Sequence, residues 1–430
     1  MPAIFGSKLA RRIPVGRCVV KEDGEDIESA DRKMQRRTFC KGAALGLGGL
    51  VVGRCFGKEK AGSATLSGPL PPPIDNGRST ALCLNSRVSM HWGLGGTATD
   101  QQISNVLWAA GKAPINGSYR TIYVRTPDGS YLYHPEDHSL EYYSGETVSN
   151  ALRIEYEREL DFDAGVSYVQ ALLASVSLWT GTQNQLASCP QMWDLNFGIR
   201  SVPGLTDELV AISSDFTLPN PLTDGDDSFD DAVSGLELAT HFLPGDLTDE
   251  EISQILWAGY GCSDHWTANN RGGLTVPSWV AEYFLTGRLY IVRDTVARYC
   301  NRVGSNLATR DHRLELVQEA DVREEVRQVL GNVPAAPCYL LLCLTASGLE
   351  TWYQRLETGF VAGGYLAQAA VMDLGCHFRV PLSSGEQQAL QQVTQIPSSD
   401  YPHAVVAVGR VSPFGSHQNP RFVTYDGFVY

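Results

Sequence analysis

An eleven-residue segment occurs twice, and that repetition limits the folds open to this chain more than any other feature. Thr99-Asp-Gln-Gln-Ile-Ser-Asn-Val-Leu-Trp-Ala109 returns as Thr248-Asp-Glu-Glu-Ile-Ser-Gln-Ile-Leu-Trp-Ala258, identical at seven of eleven positions and 149 residues further on. Each segment begins with a helix-start pattern. Thr99 or Thr248 can cap the first turn, and Gln102 or Glu251 three residues later can close a capping box. Ile103, Val106 and Leu107 form one apolar face at helical spacing, and Ile252, Ile255 and Leu256 form its counterpart. A period this long predicts two similar domains rather than a solenoid.

Two weaker matches point the same way. The run around Tyr168 and Leu178 resembles that around Tyr365 and Leu374, and Leu209-Val-Ala-Ile-Ser213 resembles Val405-Val-Ala-Val-Gly409. Together they place about 47 extra residues in the second copy, assigned to 286–333 and its charged helix at 319–329. The expected organisation is an N-terminal extension (1–64), a first domain (80–218), a Pro/Asp/Gly-rich linker (219–228) and a second domain (229–430). Strands are expected at 339–344 and 404–408, and helices at 359–374 and 385–394. Helices alternating with short apolar strands predict an α+β sandwich, a mixed sheet flanked by helices in each copy.

Charge divides the chain. The net charge is −14, yet residues 1–60 hold 13 basic and 7 acidic side chains, leaving 21 and 41 for the remainder. A body that acidic repels phosphate backbones, which argues against a nucleic-acid partner. The basic head contains Met34-Gln-Arg-Arg-Thr-Phe-Cys-Lys41, followed by a short glycine-rich apolar run. This order of parts resembles a twin-arginine export signal, with Arg36 and Arg37 as the pair. It predicts export across a bacterial cytoplasmic membrane, to the periplasm or cell surface. Translation from Met34 would put the signal at the N-terminus, where such signals lie. The apolar run is too short for a stable membrane span.

Ten cysteines are irregularly spaced with no Cys-x-x-Cys, so no metal site is expected. Cys262 and His265 could form a nucleophile and base, but lie in a glycine-flanked loop where two such groups are more often unrelated. His134, Glu136, Asp137 and His138 read as a solvated turn rather than a metal cluster.

The repeated segments sit within a wider pattern. It comprises Leu247-Thr-Asp-Glu-Glu-Ile-Ser-Gln-Ile-Leu-Trp-Ala-Gly-Tyr-Gly261, Thr275-Val-Pro-Ser278, Tyr131-Leu-Tyr-His-Pro-Glu-Asp-His-Ser-Leu140, Glu357-Thr-Gly-Phe-Val-Ala362, Leu374-Gly375 and Ala404-Val-Val-Ala-Val-Gly-Arg410. In order and spacing these resemble the nitroreductase family of FMN-dependent oxidoreductases, most nearly its azoline-oxidising dehydrogenases. The family works as homodimers with FMN at the interface, so a tandem copy implies a monomeric single-chain pseudo-dimer. The resemblance implies hydride transfer through FMN to or from a small organic substrate, with a redox partner supplying or taking electrons.

The resemblance also assigns site residues. The family's N-terminal Arg/Ser motif, which holds the phosphate, falls on Arg87 and Ser89; the second copy has Glu237-Leu-Ala-Thr-His-Phe242 there, with His241 its nearest approach to a cation. The Pro-Ser pair of the loop over the flavin falls on Pro277 and Ser278, against Ala113-Pro114-Ile115-Asn116 in the first copy. The basic residue after the last strand falls on Arg410 or Arg421, where the first copy has Asp215. The family's Gln-Asn pair is Gly363-Gly364 here. One mixed site, Arg87 and Ser89 with Pro277 and Ser278, is therefore expected rather than two, and no catalytic side chain is assigned. The alternative implied by the losses is a flavin-free binding or scaffold module.

Overall fold

Both repeated segments fold as capped helices. In the computed structural model, α2 (Asp100–Lys112) and α5 (Asp249–Tyr260) each begin with a complete capping box, from Thr99 and Gln102 and from Thr248 and Glu251. Such a cap satisfies N–H groups that the first turn leaves open and contributes about 1 kcal/mol. Ile103, Val106 and Leu107, like Ile252, Ile255 and Leu256, are buried. The structure describes residues 68–412, except 72–77, 88–97, 149–151, 178–179, 186–191, 200–210, 213–217, 220, 223–227, 267–271, 278–281 and 304–305, and also 424–425 and 428–429. The segment expected to be an export signal lies outside the described residues.

The first half runs β1 (Gly68–Pro69), α1 (Thr80–Ser86), α2, β2 (Arg120–Thr126), β3 (Gly129–His134), β4 (Ser139–Ser144), β5 (Leu152–Arg158), α3 (Asp161–Ser177), β6 (Thr180–Gln185), β7 (Met192–Ile199) and β8 (Ala211–Ile212). The second runs α4 (Phe229–Val233), α5, β9 (Cys262–Trp266), β10 (Gly272–Leu274), β11 (Leu289–Val292), β12 (Val296–Val303), β13 (Asn306–Gln318), α6 (Arg323–Leu330) and β14 (Cys338–Leu344). It continues through α7 (Ala346–Leu349), α8 (Trp352–Ala370), β15 (Leu374–Arg379), α9 (Ser384–Thr394) and β16 (Tyr401–Arg410).

Two seven-stranded sheets result, ordered β6-β7-β5-β2-β3-β4-β1 and β15-β16-β14-β11-β12-β13-β8. Strand for strand, in sequence order within each half, these are the same arrangement. They differ at one edge, where β1 pairs antiparallel with β4 but β8 runs parallel to β13. The expected α+β class is thus observed. One of the weaker sequence matches is corrected: 209–213 is not the counterpart of 405–409. By position in the sheet β7 matches β16, while β8 has crossed to the edge of the other sheet.

The halves share a hydrophobic core and lie within one compact unit, residues 63–430. Ser79 bridges Ser228 antiparallel, and these two stand 149 residues apart, the interval of the repeated helices. The long helices α3 and α8 cross at Gly165 and Gly359. A Cβ on Gly165 would lie 2.9 Å from Gly359 Cα and overlap the Leu356 carbonyl, so the crossing needs bare backbone on both sides.

The sheets differ in what covers them. β14 is buried at every position, whereas β2 alternates. A second core cluster, including Tyr290, Val326, Leu330, Tyr339, Leu341, Leu390 and Val405, packs α6 and α9 on the outer face of the second sheet. A strand buried on both faces reads as a continuous apolar run. The charged helix expected at 319–329 is α6, and the helix expected at 359–374 is α8, which starts earlier and stops before β15.

Candidate functional site

The end of α1 carries Arg87 into the second half. Its guanidinium is fully buried and donates through Nε to the Thr275 carbonyl (2.9 Å), and through Nη2 to those of Leu274 (2.6 Å) and Val276 (2.5 Å). Burial pulls its pKa down to about 10, so it remains charged at neutral pH. The same short segment is tied from α5: Thr275 N–H donates to the Gly261 carbonyl and Thr275 Oγ1 to that of Trp257. Arg87 thus reaches across to residues 274–276, the segment that leads into Pro277. Ser89, Ser278 and Arg421 lie outside the described residues.

Aromatic rings surround this junction. Tyr283 Oη accepts from Leu274 N–H (3.3 Å), and its ring meets Tyr260 edge-on at 6.3 Å and lies under the Arg302 guanidinium at 5.5 Å. Tyr168 of α3 packs on Phe360 of α8 at 5.1 Å.

Below the rings sits a buried carboxyl. Glu357 of α8 accepts at Oε1 from the Tyr260 hydroxyl (2.6 Å) and from the N–H groups of Phe284 (2.8 Å) and Leu285 (3.1 Å). Its Oε2 is buried with no hydrogen-bond partner. Desolvation raises the pKa of Glu357 to about 7.

Arg410 is committed elsewhere. It forms a two-pronged ion pair with Glu251, at 2.6 Å and 2.8 Å, and Glu251 is already the capping-box residue of α5. His241 is exposed against Thr240, as a surface histidine would be. Gly363-Gly364, in place of an amide pair, has a packing reason. A Cβ on Gly364 would stand 3.1 Å from Gly259 Cα, so the glycine lets α8 close on α5. The Cys262 thiol donates to the Asn301 carbonyl, and burial raises its pKa, so it is no activated nucleophile.

Both expected phosphate ligands among the described residues, Arg87 and Arg410, are engaged within the protein, while Ser89, Ser278 and Arg421 lie outside the described residues. A phosphate needs charge-assisted donors aimed at it. Arg87 spends three N–H···O bonds on main-chain carbonyls, and Arg410 faces a carboxylate.

Two constellations were not anticipated, and they match. Ser104 Oγ donates to the Pro71 carbonyl (2.5 Å) and pairs with His138 Nε2 (2.8 Å), whose Nδ1 meets the Tyr133 hydroxyl (2.7 Å). In the second half Ser253 Oγ donates to the Pro219 carbonyl (2.5 Å) and pairs with His312 Nε2 (2.7 Å), whose Nδ1 meets the Tyr299 hydroxyl (2.9 Å). Each serine has a single proton, given to proline, so it accepts from Nε2–H, and in the neutral ring Nδ1 accepts from the tyrosine hydroxyl. Burial lowers both histidine pKa values, that of His312 to about 4. The serines were visible in the repeat, but five residues separate tyrosine from histidine in one half and thirteen in the other, which hid the rest. The predicted solvated turn is corrected accordingly: His138 turns inward while His134 faces Glu136 and Glu141. Among the described residues no cluster fit for a metal is present.

With this geometry in view, the comparisons with known proteins concern the fold. No family model matches the chain, and no curated protein matches it. Solved structures do. A protein from Anabaena variabilis assigned as a nitroreductase aligns over 80% of this chain and 94% of its own, at 13% identity and a TM-score of 0.53. One from Ralstonia eutropha, also assigned as a nitroreductase, aligns over 49% of this chain and 96% of its own, at 21% identity and a TM-score of 0.38. An FMN-dependent nitroreductase from Clostridium difficile aligns over 44% and 95%, at 12% identity and a TM-score of 0.28. The first of these shows that the chain has the nitroreductase fold.

Proposed function

We propose that the chain is an exported oxidoreductase of the nitroreductase type, duplicated into a single-chain pseudo-dimer and acting at one junction rather than two. The observation that carries this reading is that Arg87 of one half closes on Leu274–Val276 of the other, where the resemblance puts the flavin. The matched strand orders and the Ser79–Ser228 bridge support the pseudo-dimer. FMN is the carrier such an oxidoreductase uses, and the substrate is a small organic molecule that gives or takes a hydride. Arg36 and Arg37 support passage through the twin-arginine route. Outside the cytoplasm nicotinamide nucleotides are scarce, so a quinol or a redox partner is the better electron donor.

A second reading is favoured by the commitments of Arg87 and Arg410: a flavin-free binding or scaffold module that keeps the fold and has given its cationic residues to structure. An absorption spectrum of the purified protein, before and after incubation with FMN, separates the two. A bound flavin lost on Arg87→Ala, with the fold intact by circular dichroism, supports the oxidoreductase. No flavin under either condition supports the module.

A further inference from the structure

Asp163 of α3 spends both carboxyl oxygens on one short step of chain. Oδ2 accepts from the N–H groups of Asn116 (2.9 Å) and Gly117 (2.7 Å), and Oδ1 accepts from Asn116 Nδ2 (3.2 Å). Asp163 is fully buried, whereas Asn116 and Gly117 are half-buried. The next amide, that of Ser118, donates to the Glu159 carboxylate, and Arg120 donates to the carbonyls of Ala113 and Pro114. The loop 113–119 is thus pinned through the atoms of its Asn-Gly step.

That step carries its own chemistry. Glycine has no Cβ to shield its amide nitrogen, so in a freely moving Asn-Gly this nitrogen can reach the asparagine Cγ. The bond from Gly117 N to Asn116 Cγ forms, the Cγ–Nδ2 bond breaks, and ammonia leaves with the proton that the Gly117 nitrogen gives up. Water then opens the cyclic imide on either side of its nitrogen, which leaves a carboxylate on an aspartyl or isoaspartyl residue. Water is the only co-reactant.

We propose that Asn116-Gly117 is a latent deamidation site, held shut by Asp163 and reacting only when 113–119 opens; the carboxylate so formed then keeps the loop from closing again. Both nitrogens that take part face the Asp163 carboxylate. The Gly117 nitrogen has to gain negative charge to attack, and a carboxylate 2.7 Å away opposes that charge while its hydrogen bond holds the proton in place. Nδ2 is fixed to the other oxygen, which restrains the side-chain amide from turning Cγ towards the attacking nitrogen. Once oxygen replaces Nδ2, the contact at Oδ1 is no longer donor to acceptor. It sets one carboxylate against another, and like charges at that range repel.

Peptide mapping by mass spectrometry tests this on the wild type, held at neutral pH either native or in urea. The map resolves Asn116 from Asn76-Gly77, the other Asn-Gly step of the chain. Asn116 should convert at least about tenfold more slowly in the native protein, because hydrogen bonds to a charged group hold the loop. Asp163→Asn, which loses the charge and one of the two acceptors, should remove most of that difference. Equal native and urea rates overturn the proposal. So does a slower native reaction in the variant, which would make Asp163 a base rather than a guard. Should the variant fail to fold, hydrogen exchange of the wild-type Gly117 amide decides. The native rate, relative to urea, should lie at or below the open fraction that exchange measures. A rate above it by more than about tenfold means reaction from the closed loop, and overturns the proposal. Asn116→Asp carries the carboxylate from the start and should lower protection of the Gly117 and Ser118 amides about tenfold. Unchanged protection overturns the release. None of these readouts uses flavin or turnover, so failure here is separate from failure of the proposed function.

Discussion

Two helices that share a sequence lead into two loops that do not. After α2 the chain reaches β2 through residues 113–119; after α5 it takes 261–288 to reach β11. Both connections are stapled by an arginine, Arg87 fully buried and Arg120 half-buried. Arg120 lies beside its own loop and donates to the carbonyls of Ala110, Ala113, Pro114 and Asp163. The longer connection, which includes β9 and β10, takes its arginine, Arg87, from the other half. The comparison teaches that one physical requirement, donors for carbonyls turned inward, was met twice. Only the second solution ties the halves together.

The largest test removes the contact that both halves share. Gly359→Val should abolish cooperative folding or cost more than about 3 kcal/mol, since the added carbons meet the backbone of α3 rather than a side chain able to move. Urea denaturation reads this directly. A loss below about 1 kcal/mol would mean that α3 and α8 can part without consequence.

Removing each arginine sharpens the contrast between the loops. Arg87→Ala and Arg120→Ala should each cost about 2–4 kcal/mol, because buried carbonyls are left unsatisfied. Hydrogen exchange distinguishes them. Protection should fall within 261–288 for Arg87→Ala and within 113–119 for Arg120→Ala. Loss confined to the wrong loop would break the assignment.

A smaller effect comes from His312. Its folded pKa is depressed to about 4 from about 6.5, so the unfolded chain binds the proton first. The neutral triad then contributes fully above pH 6.5 and loses that contribution as pH falls towards 4. Between pH 7 and 5 the loss should be about 2 kcal/mol in the wild type and absent in His312→Gln. Denaturation at the two pH values measures it. An equal slope in both proteins would assign the effect elsewhere.

Arg410→Ala should give the smallest change, under about 1 kcal/mol, because the ion pair is 39% exposed on the arginine side. It should leave any flavin binding untouched. Loss of bound flavin on this substitution would return Arg410 to the cofactor.

Much of the fold was legible. The capping boxes at Thr99 and Thr248 fixed two helices because cap chemistry is local. The run 339–344 announced a central strand, since burial on both faces leaves no polar position to mask it. The charged helix α6 was placed by length arithmetic, although nothing in the sequence said that it would roof a sheet. The counterpart of β16 was misassigned because Leu209–Ser213 and Val405–Gly409 share composition, and strand partnership is set by neighbours distant in sequence. At the site, no sequence signal hinted that the N–H groups of Arg87 would face the carbonyls of residues 274–276.

That division has a physical cause. By itself the sequence determined what depends on spacing along the chain: repeated helix starts, apolar faces, the sheet class and the split between a basic head and an acidic body. Only the tertiary structure decided what depends on where a polar atom finds its partner. Arg87 and Arg410 read as phosphate ligands until their N–H groups were seen facing carbonyls and a carboxylate. Glu357 read as one acidic residue among 48 acidic side chains until its burial and its partnerless oxygen set it apart. Charge is written in the sequence, but its solvation is a property of the fold.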